Sequence, residues 1–534
     1  MSIDLREYGK YIKLVKTEAL NSGILRASAS SAAMLSVEDG LWGSDWRQAR
    51  NHKRPTSPAD PSPKKQLVLS MNRAPCLRRA IRPLHQQLRL SSTQSTSILK
   101  PPHINFAGIV ENEERVRQNC LARKLPNVAA TIPEIIRLNE KRLEYIRTLS
   151  PLEFRRNVIS AELGKMKDPV QRNTLLAEAA NLKTKITTLK AEQDETVTAL
   201  TSLAAAIPND THPETASTET EVGKIGELRE KRTIKDHVEI AESLDLLDLR
   251  AGARTTGHAW YYLKGLGAQL ELALVSYTVE MAIKRGWKLV KPPDVVRTEV
   301  ALACGFRPRD EEGDQIYQLA NVSVSETGSH AEGGSLCLAG TAEIPLAAMN
   351  IEKIFKEDEL PVKYVGVGTA YRAEAGSRGK ESKGLYRVHQ FTKVELFAWT
   401  RTEDSDAMLT EILELQKEIV EGLGLHARIL DMPPHELGNA AYRKYDIEAW
   451  MHGRQGWGEI TSASNCTDYQ SRRLNTRYRP NEKDAKIQFV HTLNGTAMAV
   501  PRMIVAILES GVREDGSVEI PMAVRKFLGV DFIR

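Results

Sequence analysis

Residues 371–397 read YRAEAGSRGKESKGLYRVHQFTKVELF, two strand-like runs around a polar turn. Val365 to Arg372 and Val388 to Phe397 have the composition of strands, and the segment of Gly, Ser, Arg and Lys between them that of a turn, so a β-hairpin is expected. Side chains alternate across a strand, which sets Phe391, Lys393, Glu395 and Phe397 on one face. A ring, a cation and a carboxylate in a row suit a pocket better than a core. Arg372 ends the first strand, where its guanidinium fork could meet a phosphate, and Phe391 offers a face to a flat base. A surface ladder of salt bridges is the competing reading of the same residues.

Working outward, three more clusters carry chemistry. In LCLAGTAEIPLA (336–347), Thr341, Ala342 and Glu343 follow a strand-like run, and the hydroxyl and carboxylate could hold an ammonium group. The plainer alternative is an N-cap followed by a first-turn acid. In GWGEITSASNCTDYQSRR (456–473), Glu459 and Ser462 lie three apart with Thr461 between them. Such hard oxygen donors suit Mg²⁺ bridging phosphates, although a Ser/Thr-rich loop would look the same. In FVHTLNGTAMAVPRMIVAILESG (489–511), a strand is expected to end at Asn494. Gly495, Thr496 and Ala497 allow close approach there, and a helix follows with Pro501 in its first turn and Gly511 at its end. Arg502 then stands at the positive end of a helix dipole, which disfavours a cation unless a polyanion occupies the site.

At 534 residues the chain is long enough for two or three domains. Its 27% charged and 41% hydrophobic residues are ordinary for a globular protein, the net charge of +5 is mild, and no run of about eighteen apolar residues suggests a membrane span. The five cysteines are scattered without zinc-like spacing and read as free thiols of a reducing compartment. Residues 1–103 read as a disordered leader. Within it, about 71–100 are rich in Arg and Ser and contain no acid, the composition of a mitochondrial transit peptide, with a basic tail touching nucleic acid as the alternative.

From 104 to 207 the pattern is helical. Thr131 with Glu134 matches a capping box, Ile135, Ile136, Leu143, Ile146 and Leu149 follow at helical spacing, and Ser150-Pro151 predicts a kink or a restart. A second helix is expected from Asp168-Pro169, with Leu175, Ala179, Leu182, Ile186, Leu189, Gln193, Thr196, Leu200 and Leu203 as its seam. The short link makes the two helices an antiparallel arm. Its Lys and Arg residues, among them Arg155, Lys165, Lys167 and Arg172, read first as a solvated face and second as an RNA contact. The Pro-, Thr- and Glu-rich 208–230 reads as a linker. The remainder, 231–534, lacks both a βαβ rhythm and a phosphate-binding Gly-rich loop, so an α+β domain is expected, an antiparallel sheet with flanking helices. In GWKLVKPPDVV (286–296), a double proline would protect an edge strand or interface.

With these residues in view, the chain from about 104 resembles a seryl-tRNA synthetase, a class II aminoacyl-tRNA synthetase with a helical arm. GWKLVKPPDVV is similar to class II motif 1, the 371–397 stretch to motif 2 and LNGTAMAVPRMIVAILES to motif 3, while the Thr-Ala-Glu and Glu-Ile-Thr-Ser runs narrow the match to the seryl enzyme. The resemblance implies a serine site of Thr341, Ala342, Glu343, Arg372, Glu395, Asn494 and Thr496. It implies an ATP site of Arg372, Ala373, Glu374, Val388, Phe391, Glu459, Ile460, Thr461, Ser462 and Arg502. Glu459 and Ser462 would hold Mg²⁺, and Arg372, Arg502 and Glu459 would carry catalysis through charge and position. It further implies a homodimer, an arm that grips serine tRNA, no membrane partner, and work in the mitochondrial matrix. A silent paralogue that binds RNA or protein is the alternative, and its expected mark, loss of Arg372, Glu459 or Arg502, is missing from the sequence. Two departures stand out: Ala259 in TTGHA, where the family pattern has Arg, and a polar insertion at 321–335, expected as a surface loop.

Overall fold

The computed structural model describes residues 99–228, 235–306, 316–323, 335–374 and 383–534. The transit-peptide reading therefore lies outside the described residues but for Leu99 and Lys100, as do Cys76, the tip of the opening hairpin and residues 324–334 of the polar insertion.

A short helix α1 (Glu113–Ala122) precedes two long ones, α2 (Ile132–Leu163) and α3 (Pro169–Ala205), which pack side by side as the arm. Asp168 caps α3 by accepting from the Val170 amide at 2.9 Å, and Pro169 fills the first helical position, where its missing N–H costs nothing. All nine seam residues expected on α3 are buried or half-buried, with Ile186 and Leu200 the deepest. On α2 the expectation needs correcting. Ile135 and Leu149 are buried, joined by Leu138, Tyr145 and Ile159, whereas Leu143 and Ile146 are exposed at 36% and 41%. No capping box forms at Thr131: its backbone is helical, its hydroxyl donates to the Val128 carbonyl at 2.8 Å, and Glu134 pairs with Arg137 instead. The helix does not restart at Ser150-Pro151 but runs through Pro151, with Ser150 donating its hydroxyl to the Ile146 carbonyl.

The stretch read as a linker is partly built into the sheet that follows it. Residues 220–225 form strand β1 (Thr220–Ile225), the edge of an eight-stranded sheet. The other strands are β2 (Lys288–Val290), β3 (Val362–Tyr371), β4 (Gln390–Thr400), β5 (Ala427–Asp431), β6 (Arg443–Met451), β7 (Gly456–Asn465) and β8 (His491–Ala499), in the order β1-β5-β6-β7-β8-β4-β3-β2. Every pairing is antiparallel except β2 on β3. The expected hairpin is present as β3 and β4, with Tyr371 opposite Gln390. β2 is the far edge, and Pro292-Pro293 follows it after Lys291. β8 continues five residues past its expected end at Asn494. The polar insertion is bounded by strands Gln318–Ser323 and Ser335–Leu338 rather than being loop throughout.

Alternation divides the sheet into two chemical faces. Val394, Leu396, Ala398, Ile447, Ala449, Ala463 and Leu493 join one core with α5 (Gly265–Lys284), α7 (Ser405–Gly422) and α9 (Val500–Gly511), while α4 (His237–Ser243) packs on α9. By length and a mean hydropathy of 1.2, α5 has the makings of a membrane span, yet Leu270, Ala273, Leu274 and Tyr277 are spent on this core. The opposite sheet face carries Lys393, Glu395, Lys444, Asp446, Ser462 and Asn494. Helices α6 (Glu343–Ala348) and α8 (Tyr469–Leu474) stand at its margin.

Candidate active site

The polar face of the sheet floors a cavity of about 480 Å³ lined by, among others, Thr341, Glu343, Arg372, Glu395, Glu459, Ser462 and Asn494. Strand parity alone would not put Glu459 and Ser462 together. They lie three apart on β7, and three steps along a regular strand reverse the face. A bulge solves this: Ile447 pairs with Thr461 and Glu448 with Glu459, so Ile460 is the extra residue. Ile460 and Thr461 turn inward, the latter donating its hydroxyl to the Thr496 carbonyl, and Glu459 emerges on the side of Ser462. The segment is thus a bulged strand, not the Ser/Thr-rich loop of its alternative reading. A second bulge, at Ala497 on β8, sets Thr496 opposite Glu395, and the Thr496 and Ser462 hydroxyls lie 3.5 Å apart.

Glu343 begins α6 and is 7% exposed. Its Oε1 accepts from Gln470 at 2.7 Å and from Asn494 at 2.9 Å. Burial, and then the neighbouring Glu395, push its carboxyl up to about 7. Lys393, 7% exposed, bridges Glu395 at 2.7 Å and the Thr341 hydroxyl at 3.0 Å. Thr341 in turn accepts from the Glu343 amide at 3.3 Å, a partial cap, although Ala342 holds the N-cap position. Two carboxylates, one internal cation and a hydroxyl leave this end of the cavity suited to a small ammonium-bearing ligand.

Arg372 borders both this cavity and a narrow cleft lined by Glu374, Tyr386, Val388, Phe391 and Arg502. Its guanidinium lies 5.4 Å from the centre of the Phe391 ring. Burial, then Arg502, hold it below its ordinary value, so the two cations press on each other. Arg502, in the first turn of α9, donates to the Glu459 carboxylate at 3.0 Å and to the Tyr386 carbonyl at 3.2 Å, with Tyr386's ring beneath it. Burial opposes ionisation of Glu459, but Arg502 and Lys444 outweigh it and hold Glu459 down at about 2. Asp446, directly opposite Ser462 and bonded to Lys444 at 2.7 Å, is pushed up to about 7 by burial against the pull of Lys444.

Not every implied residue presents a side chain here. Ala342 packs into the core beside Gly368, and Ile460 and Thr461 face inward, leaving only their backbones toward the site. Ala373 does not line either cavity. The hairpin reading had placed Lys393 on the pocket face but gave it no partner, and it missed Gln470, Lys444, Asp446 and Tyr386. The spacing of KYD on an alternating strand was the available signal for Lys444 and Asp446. At Ala259 the chain adopts φ 62°, its carbonyl accepts from the His389 amide at 3.2 Å, and Trp260 stacks on His389, whose Nδ1 lies 2.9 Å from the Arg372 carbonyl.

Two family models match: the seryl-tRNA synthetase N-terminal domain over residues 104–211 and the class II tRNA synthetase core domain (G, H, P, S and T) over 326–511. The mitochondrial serine-tRNA ligase of Schizosaccharomyces pombe is 45% identical over 436 residues, 80% of this chain and 89% of that one. The chain belongs to the seryl-tRNA synthetase family. The serine-tRNA ligase of Rubrobacter xylanophilus is 41% identical over 80% of this chain and 97% of its own. Among solved structures, the ATP complex of seryl-tRNA synthetase from Pyrococcus horikoshii aligns with TM-score 0.70 and 33% identity, over 80% of this chain and 99% of that one. As a seryl-tRNA synthetase fold, the described arm and α+β domain are the helical arm and antiparallel-sheet core expected from the sequence.

Proposed function

We propose that this seryl-tRNA synthetase is a serine-tRNA ligase, which activates serine with ATP and passes the seryl group to the 3′ end of serine tRNA. The observation that carries the reading is the position of Arg372, whose guanidinium borders the ammonium-binding cavity on one side and the aromatic cleft on the other. That is where an amino-acid carboxylate must meet the α-phosphate of ATP. In this reading Thr341, Glu343 and Glu395 hold the serine ammonium, and Asn494 and Thr496 surround its hydroxyl. A site built to bond a hydroxyl disfavours alanine, because its buried polar groups would be left unpaired. Phe391 stacks on adenine, with Glu374, Val388 and the Ala373 backbone alongside, and Arg502 meets the γ-phosphate.

The donor set fits Mg²⁺: the bulge turns a carboxylate, Glu459, and a hydroxyl, Ser462, to one side, and this ion needs only one or two protein oxygens. When bound, the ion would neutralise phosphate charge and polarise it. The side chains do the rest by position. A serine carboxylate oxygen attacks the α-phosphorus as its bond to the bridging oxygen breaks, and pyrophosphate leaves. The terminal ribose hydroxyl of the tRNA then attacks the seryl carbonyl carbon, and AMP leaves. No side chain acts as nucleophile; Arg372, whose charge is opposed by burial and by Arg502, is relieved by the negative charge that develops beside it.

The arm fits a tRNA contact. Arg155 and Lys190 are tied to Glu178 and Glu153, but Lys165, Lys167, Lys183 and Lys185 have no carboxylate partner among the described residues. The homodimer reading draws on apolar groups left outside the core, Leu272 and Ile283 on α5 and Leu289 on the edge strand β2. The mitochondrial matrix is supported by the acid-free, Arg-rich segment of about 71–100 within the leader and by the mitochondrial S. pombe relative. The deciding experiment is pyrophosphate exchange into ATP by protein starting near Thr93, with serine, threonine and alanine compared. Exchange with serine alone is expected. A folded protein that exchanges with none of them would instead support the silent paralogue.

A further inference from the structure

One wall of the amino-acid cavity is a loop, residues 438–441. It is a turn, closed by the Ala441 amide on the Gly438 carbonyl at 3.1 Å and followed by Tyr442, whose amide donates to the Asn465 carbonyl at 2.7 Å, and its consecutive carbonyls are also held from outside the catalytic domain. Arg123, at the end of α1 and only 1% exposed, donates Nη1 to the Gly438 carbonyl at 3.1 Å and Nη2 to the Ala441 carbonyl at 2.9 Å. Asn209, just past the arm, donates its amide to the Asn439 carbonyl at 2.8 Å and its Nδ2 to the Ala440 carbonyl at 2.9 Å. The His212 amide takes the next carbonyl, that of Tyr442, at 3.0 Å. The same Asn209 Nδ2 reaches the carbonyl of Cys466, another lining residue, at 2.9 Å.

These donors form one unit. Asn119 on α1 bonds the Asn209 carbonyl and the Thr211 hydroxyl, Arg123 also donates to the Asp210 carbonyl and Thr211, and α1 shares a core with both long helices through Cys120, Ile132, Leu200 and Ala204. A guanidinium buried to this degree, with two of its bonds spent on one loop, is a costly way to fill space. Its planar fork is suited to fixing the Gly438 and Ala441 carbonyls at a set separation, which a point ammonium cannot do.

We propose that Arg123 and Asn209 are positioning residues for serine. The base of the arm helps set the shape of this wall of the amino-acid pocket by holding its carbonyls, and through it the domain read here as the tRNA grip bears on serine affinity. The inference rests on the serine-activation reading and is tested against it in one assay. Wild-type exchange with serine decides that reading, and the ratio of each variant to wild type decides this one.

The experiment compares Arg123→Lys, Asn209→Ala and, as a control, Arg115→Ala in serine-dependent pyrophosphate exchange. Arg115 sits on the same base but pairs with the exposed Asp210 carboxylate and does not touch the loop. Expected is a rise of about tenfold in serine KM for Asn209→Ala, with ATP KM unchanged and a thermal midpoint lower by only a few degrees, the scale of a buried hydrogen bond lost. Arg123→Lys shifts serine KM in the same direction, and Arg115→Ala leaves it alone. Should Arg123→Lys fail to fold, Asn209→Ala still decides. An unchanged serine KM in folded Asn209→Ala, a rise matched by ATP KM, or an equal rise in Arg115→Ala would overturn the proposal.

Discussion

Glu343 carries the clearest pH signature in the site. Its carboxyl is raised to about 7 by burial and Glu395, so below that pH the free protein holds it neutral. An ammonium ligand binds the ionised form, and the proton must leave first. Serine KM should therefore rise as pH falls through about 7, approaching about tenfold per unit once the neutral acid dominates. Glu343→Gln should abolish this slope while weakening serine binding, which a pH series of exchange kinetics on both proteins would reveal. Arg372→Ala is expected to lower exchange by about a hundred- to a thousandfold, the loss that follows removal of one preorganised donor, with the thermal midpoint near wild type. Each of these residues was legible in the sequence because it sits in a short, chemically unusual run. Lys393 and Gln470 were not given roles, since Thr341 lies 52 positions from Lys393 and Glu343 lies 127 from Gln470, and only the fold brings either pair together.

Among the elements, α3 was readable to its cap because a two-helix seam imposes one strict spacing and Asp168-Pro169 marks its start. α2 was less so. Leu143 and Ile146 keep a helical interval with the buried positions, but one partner helix covers only a narrow stripe, and residues at its margin stay exposed. Thr131 fails as a capping box for a local reason. With φ −84° and ψ −12° its hydroxyl faces the preceding turn instead of the amides ahead. At the arm's tip, shortening the turn between α2 and α3 around Lys165 to Arg172 should impair tRNA charging severalfold or more while sparing serine-dependent exchange, since the tip is remote in sequence and contact from both cavities. Parallel loss of both activities would argue against a separate tRNA-binding arm. The bulges at Ile460 and Ala497 were illegible in advance, because a bulge is defined by the partner strand's register.

For the molecule as a whole, the unresolved tension is apolar surface. Leu272 is 69% exposed on a helix whose other face is core, and Ile283 lies three turns further along the same helix at 50%. Leu289 adds to it from the edge strand β2 at 47%. The proposed homodimer would cover these groups. Leu272→Asp should then halve the mass seen by light scattering and lower exchange activity. A mass unchanged from wild type would remove α5 from the interface. The double proline after β2 fits the same picture, since it stops further strands from adding to that edge.

By itself the sequence determined the arm, the hairpin and the α+β class and pointed to several of the charged residues that line the two cavities, because each is written in local spacing, in cap chemistry or in a run of a few residues. The tertiary structure alone decided that Glu459 and Ser462 share a face, that 220–225 is an edge strand instead of linker, and that Arg123 and Asn209 hold a loop that lines the larger cavity. Those facts depend on strand register and on hydrogen bonds to carbonyls more than 200 positions away, and backbone carbonyls leave no signature in a sequence.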